Sequence, residues 1–437
     1  MASDDYYVDA AAGADTNGGT SAGAAIVSGA SADTDGTAVV SLSDDTPDLS
    51  GVSVGDCIYL ASEGGNGIRS GDIFEITAVD DGADTVAVTP TPGSNLNQAW
   101  AIGGAWATVQ KAMSTVRAAD TDYVWVKASA NYTETVDVAL AMGAGTPATF
   151  EGYTSSPGDG GVFTIDGAAA RANGLTDSIT SAAYYVFKNM RVTDHTSHGC
   201  SLSMDACVWK NCQFDTNGAD GIVADDFHMF EECDFSDNIT DGADCDVSCV
   251  FVGCKAFRNG GKGIEARTGL MAFCTAFSNG GPGLVFTGAG LAFHVFINCT
   301  IDGDSKDTTT GFGAGVSFYG LSVVVNCIAY DCVTGIDAPG GRGEMLISRN
   351  NLVNSNTANY AGGGATFTGE QTGAPAFTNE ATQDYTLASG SPAKGAGFDE
   401  SQVEGDSSGM DIGARQRIES GGGGGGLLMP NKRGNKQ

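Results

Sequence analysis

The sequence predicts an all-β solenoid: a parallel β-helix carrying a small inserted β domain and a short capping helix near its N-terminal end. Three observations carry this reading. Cys212, Cys233, Cys254 and Cys274 recur at intervals of 21, 21 and 20 residues. Asn217, Asn238, Asn259 and Asn279 keep the same period, and so do Gly221, Gly242, Gly263 and Gly283. The chain also holds 65 Gly but only 10 Pro, with 41% hydrophobic residues, a composition for dense turns around a real core. A unit of this length cannot bury an apolar face alone and must stack on its neighbours. It is too short for a pair of helices and suits one coil of strands.

The elements follow in order. Residues 6–20 read as an opening strand and a Gly/Asp/Asn turn, the first part of a segment 1–25. Residues 26–102 have another texture: Val39–Leu42, Asp56–Leu60, Ile73–Thr77 and Thr85–Thr89 read as four strands between Asp/Gly turns, a small inserted β domain. Within 103–120, Trp106, Val109, Ala112, Met113 and Val116 follow helical spacing. A short helix there would cover the open end of the first coil. The solenoid proper runs over 121–375, starting with the alternating strand Tyr123–Lys127. Cys299 and Cys327 continue the cysteine column at intervals of 25 and 28, so the later coils carry longer loops. Residues 376–420 close the body. Six glycines (421–426) then tether a basic end in which Leu427, Leu428, Met429, Pro430, Lys432, Arg433 and Lys436 read as a docking peptide.

The formal net charge is −32. Such a surface repels nucleic acid and anionic membranes, and would repel polyanions unless divalent cations intervened. The first residues have neither a basic region nor an apolar stretch, so no signal peptide is expected and synthesis in the host cytoplasm is. No run reaches the length needed to span a bilayer. At least four of the 12 cysteines occupy equivalent positions in stacked coils, where thiols serve as compact apolar side chains. Cys245 and Cys249 lack the second pair that zinc would need.

Sugar cleavage needs a close acid/base pair, or a metal-neutralised uronate with a basic proton abstractor. On stacked coils such groups would sit one coil apart on one face. Asp244 and Glu265, 21 residues apart, meet that condition, and Arg267 is a basic residue beside them. These three are the candidate catalytic residues, set against the reading that they are solvated surface in a chain rich in carboxylates. Asp9, Asp15 and Asn17 lie in one Gly-rich turn and offer hard oxygens to Ca²⁺. No cofactor is required. The asparagine column reads as structural, each side chain bonding up and down the ladder.

The opening Tyr6–Thr20, with Ala105–Ala112 after it, resembles the start of right-handed parallel β-helix proteins of the pectate-lyase-like superfamily. Asp384–Gly397 with Asp411–Ala414 resembles their ending. The resemblance implies a right-handed β-helix over residues 6–414 and leaves function open, because this fold serves lyases, hydrolases, epimerases, adhesins and phage spikes. The glycine tether, basic tail and leaderless start resemble those of bacteriophage structural proteins. The expectation is a non-catalytic virion surface protein, a capsid- or tail-attached decoration, fibre or spike. It would be homotrimeric and held to its capsid or tail partner by the C-terminal tail, and its rod would meet host or cell-surface polysaccharide. The alternative is a polysaccharide lyase or glycoside hydrolase acting as a depolymerase.

Overall fold

The computed structural model describes residues 5–62, 73–116, 118, 121–179, 181–288, 293–303, 312–314, 321–337, 345–356, 358–361, 365–379, 384–397 and 413. Its main body is a right-handed parallel β-helix built from a 12-stranded sheet and two 10-stranded sheets. Apart from the ends, each coil contributes one short strand to each. One regular coil runs from Val208–Lys210 through Gln213–Asp215 to Ile222–Ala224, and the next from Met229–Glu231 through Asp234–Ser236 to Ala243–Cys245.

Like residues stack because coils repeat in register. Trp209 pairs with Phe230 and Phe230 with Phe251, and their rings stack inside the helix at 6.1 and 4.7 Å. Phe214 and Phe235 stack at 5.4 Å beside them. The cysteine column is buried and reduced among the described residues. Each thiol points at a carbonyl of the preceding coil: Cys212 at Phe187, Cys233 at Trp209, Cys254 at Phe230, Cys274 at Phe251, all within 3.4–3.5 Å. Sulfur here fills a narrow corner and satisfies a carbonyl.

The asparagines form a buried ladder. Asn217, Asn238 and Asn259 each donate through Nδ2 to the Oδ1 of the next at 3.0 Å. That same Oδ1 also accepts the backbone N–H of the preceding asparagine. The left-handed turn conformation belongs not to these asparagines but to the residues before them, Thr216, Asp237, Arg258 and Ser278. The asparagine itself turns inward. His195 heads the ladder, its backbone N–H donating to Asn217 Oδ1. The glycine column has a simple cause: a Cβ on Gly221, Gly242 or Gly263 would strike the carbonyl oxygen of the next glycine in the file.

The N-terminal end is closed by the helix Val109–Thr115, whose Val109, Ala112 and Met113 are buried. Trp106 stacks on Tyr6 at 5.2 Å and donates from Nε1 to the Asn17 carbonyl. Residues Val27–Asp35 to Ser94–Ile102 form a separate closed barrel of six antiparallel strands with its own apolar core, including Phe74, Ile76, Val86 and Trp100. At the other end Phe377–Asn379 and Asp384–Leu387 form an antiparallel pair, and Tyr385 packs on Phe277 at 5.4 Å.

Candidate functional site

The strands Ile222–Ala224, Ala243–Cys245, Ile264–Ala266 and Leu284–Phe286 lie side by side in one 10-stranded sheet. The middle residues Val223, Asp244, Glu265 and Val285 form one file on the outer side of the sheet; Val223 and Asp244 are partly exposed there, whereas Glu265 and Val285 are themselves buried by their surroundings. Asp244 and Glu265 are therefore directly opposite each other on neighbouring parallel strands, about 4.8 Å apart along the sheet.

A second file runs beside this one through the turn that enters the strands. Asp220 accepts the backbone N–H of Asp241 at 2.8 Å, and Asp241 accepts that of Lys262 at 2.6 Å. His198 Nδ1 lies 3.1 Å from the Asp220 carboxylate at the head of the file. Lys262 joins the two files, contacting Asp241 at 3.5 Å and pairing closely with Glu265. Burial pulls Lys262 down, but its bonds and charge contacts with Glu265 and Asp241 outweigh this and hold it above the usual lysine value.

Asp244 has no such support, and among the described residues it accepts no side-chain hydrogen bond. Burial pushes its carboxyl up, and Glu265, Asp220 and Asp241 push it further, to about 6, against a smaller opposing pull from Lys262. Asp241 is raised too, chiefly by burial. The arrangement thus sets a carboxyl that takes up a proton near neutrality beside a carboxylate paired to lysine.

The structure brings Asp244 and Glu265 together and directs Arg267 elsewhere, to Asp246 at 2.9 Å. Arg267 belongs to a wider pattern in which cations meet acids 21 residues away, as with Arg258–Asp237 and Lys210–Glu231. A lyase base drawn from Arg267 would first have to leave that pair. His198, Asp220, Asp241 and Lys262 complete the cluster. The His198–Asp220 contact spans 22 residues rather than 21, so the repeat alone does not point to it.

The oxygens of the N-terminal turn serve the fold. Asp9 is buried, accepts the Ala11 N–H at 2.9 Å and pairs with Lys127 at 2.8 Å. The Lys127 and backbone bonds outweigh the upward push of burial and hold its carboxyl low. Asp15 accepts the N–H groups of Ala107 and Thr108 at 3.0 Å, ahead of the helix start. Asn17 Nδ2 donates to the Ala105 carbonyl. Among the described residues no cluster of three or more His, Cys, Asp or Glu is placed to hold a metal. Leu427, Leu428, Met429, Pro430, Lys432, Arg433 and Lys436 lie outside the described residues.

No family model matches the sequence, and no curated protein matches it. Among solved structures the chain is similar to pectate lyase Pel9A, with a TM-score of 0.55 at 15% identity over 72% of this chain and 92% of that one. The A-module of the mannuronan C-5 epimerase AlgE4 of Azotobacter vinelandii gives 0.35 at 14% identity, over 60% and 90% of the chains. The tailspike protein gp49 of Pseudomonas phage LKA1 gives 0.28 at 11%, over 85% and 67%. At 15% identity the first likeness speaks for the fold alone: this chain has the right-handed parallel β-helix fold of the pectate-lyase-like proteins.

Proposed function

We propose that the chain is a virion surface structural protein, a capsid- or tail-attached decoration, fibre or spike whose stiff β-helix contacts glycan through the Asp244–Glu265 face. The observation that carries the glycan contact is Asp244, an outward carboxyl with no partner that the fold needs, in a cluster already rich in hydrogen-bond acceptors. Sugar hydroxyls are donors, and two carboxylates on neighbouring strands, with Asp220 and Asp241 beside them, offer a group of acceptors. The net charge of −32 favours neutral over acidic glycans. Among the described residues no helix is long and apolar enough to cross a membrane.

Copies would meet on the outer face of the 12-stranded sheet, where Val250, Leu270, Val295, Val323 and Ile347 form one outward apolar file. The strands bearing it contain no carboxylate, so this face escapes the repulsion that the rest of the surface imposes on a second copy. A homotrimer built on this face, tethered by residues 421–437, is the assembly we favour.

One observation favours a second reading, polysaccharide hydrolysis. A carboxyl raised to about 6 opposite a carboxylate on the adjacent strand has the acid–nucleophile layout of a retaining glycosidase, whose two groups stand about 5–5.5 Å apart. The two readings separate in one experiment. The purified chain and its Asp244→Asn variant are incubated with cell-surface polysaccharides of candidate hosts, and bound glycan and new reducing ends are both measured. Binding without product, weakened by the substitution, supports the structural role. New reducing ends that the variant fails to produce support hydrolysis, and neither binding nor product rejects both.

A further inference from the structure

The outer face of the first coils carries aromatic rings that the interior does not need. Strands Asp5–Val8, Tyr123–Lys127 and Ala148–Tyr153 are neighbours in the 12-stranded sheet, with Tyr7 opposite Trp125 and Trp125 opposite Glu151. Tyr123 and Trp125, alternating with the buried Val124 and Val126, point outward and remain partly exposed, their rings 4.2 Å apart. Tyr7, also partly exposed, sets its ring edge-on to Tyr153 at 6.4 Å.

Among the described residues, two polar atoms in this patch have no hydrogen-bond partner. Tyr153 is 2% exposed and its Oη has no hydrogen-bond partner; Trp125 Nε1 is solvent-shielded and equally unpartnered. Buried hydroxyl and indole N–H groups are normally bonded, since an unmade bond costs most of the desolvation of the group. The cations around them are already spent on carboxylates. Lys188 bonds both Glu151 and the Tyr123 hydroxyl at 3.1 Å, and Lys127 bonds Asp9 at 2.8 Å. The patch is thus apolar-faced, without an unpaired cation, with Asp5 adding negative charge beside Tyr7 and Tyr123, and short of hydrogen-bonding partners; it lies on a different sheet from Asp244 and Glu265.

We propose that this face binds a neutral saccharide, its ring laid on Trp125 and its hydroxyls bonding Tyr153 Oη and Trp125 Nε1. A pyranose offers what the patch lacks: an apolar C–H face for flat aromatic rings and a rim of hydroxyls that both donate and accept. The rings lying against Tyr153 and Trp125 belong to the partly exposed Tyr7 and Tyr123, and a saccharide would reach the two polar atoms by displacing the Tyr7 side chain, which unlike Tyr123 is not bonded to Glu151 and Lys188. An anionic sugar would find no unpaired cation here. This site goes beyond the contact proposed at Asp244 and does not depend on it.

The test is titration of the full chain with cellohexaose, xylohexaose and laminarihexaose, followed by tryptophan fluorescence and calorimetry. At least one should bind saturably and change the emission. Trp125→Ala should abolish that binding. Tyr153→Phe removes a hydroxyl that bonds nothing in the fold, so its melting temperature should equal or exceed that of the parent while binding weakens about tenfold. Carrying the titration out in the Asp244→Asn background, where the other face is disabled, keeps the two sites apart; the emission change should persist there. The proposal is overturned if no hexasaccharide binds saturably up to about 10 mM, or if Tyr153→Phe, folded by its melting curve, binds as tightly as the parent.

Discussion

Asp244 faces Glu265 across one rung of a parallel ladder, and the two differ in what holds them. Glu265 is paired with Lys262, whereas Asp244 is raised to about 6 by burial and neighbouring carboxylates, against only a smaller pull from Lys262. A carboxyl whose folded pKa lies above its unfolded value favours the fold below the unfolded pKa, and that contribution is lost as pH rises through the folded one. The window runs from near 4 to near 6. Asp244→Asn should therefore melt higher than the parent at pH 7.5 and about level with it at pH 4. After allowance for solvent screening the gain is about 1–2 kcal/mol. Melting curves at the two pH values check this; an equal effect at both would assign the change to packing instead of charge.

The asparagine ladder makes a larger and pH-independent prediction. Asn238 Nδ2 donates to the Phe214 carbonyl and to Asn259, while its Oδ1 accepts from the backbone and side chain of Asn217. Asn238→Ala strips partners from several buried groups at once and should cost about 3–5 kcal/mol. Asn238→Ser, which keeps an acceptor but shortens the reach, should fall between. Chemical denaturation measures both. A loss below about 1 kcal/mol for the alanine variant would mean that water enters and replaces the side chain.

Much of this architecture is readable because a solenoid obliges equivalent residues to meet their own kind. One period in Cys, Asn and Gly sets the register, and that register alone puts Asp244 beside Glu265. The limits have equally physical causes. Asp15 and Asn17 look like cation ligands in their own turn, yet Asp15 bonds backbone at Ala107 and Thr108, some 92–93 residues on. No local pattern carries that information. The Tyr7–Trp125–Tyr153 patch escapes notice because the early coils are uneven: Tyr123 pairs with Thr149, but Thr149 with Val186, so no fixed interval reveals their shared face. Arg267 stands two residues from Glu265 in sequence, yet the fold pairs it with Asp246, one coil back.

The thiols should be silent in the folded protein. All 12 cysteines are buried, and burial raises the thiols of Cys207 and Cys332 to about 12, far from the thiolate form needed for reaction. A chromogenic disulfide reagent at pH 8 should label essentially none of them in the native state and all of them in denaturant. Rapid native labelling of several would require these corners to open far more often than a close-packed stack permits.

The apolar file on the 12-stranded sheet predicts how copies associate. Val295 and Val323 are neighbours in register at the middle of the file, outward and only half-buried in the single chain, so replacing them disturbs no interior contact. The file spans five adjacent strands at about 4.8 Å each, roughly 20 Å along the axis, and would form the apolar centre of the ~800 Å² per partner that a stable interface buries. The parent chain should sediment as an oligomer, and Val295→Lys with Val323→Lys should sediment as a monomer with an unchanged circular dichroism spectrum. Added salt should not dissociate the parent, because no carboxylate or exposed ion pair on these strands holds the copies together. A parent that stays monomeric at about 100 μM, well above the Kd of a stable assembly, would reject the oligomer, and a double variant that remains oligomeric would place the contact on another face.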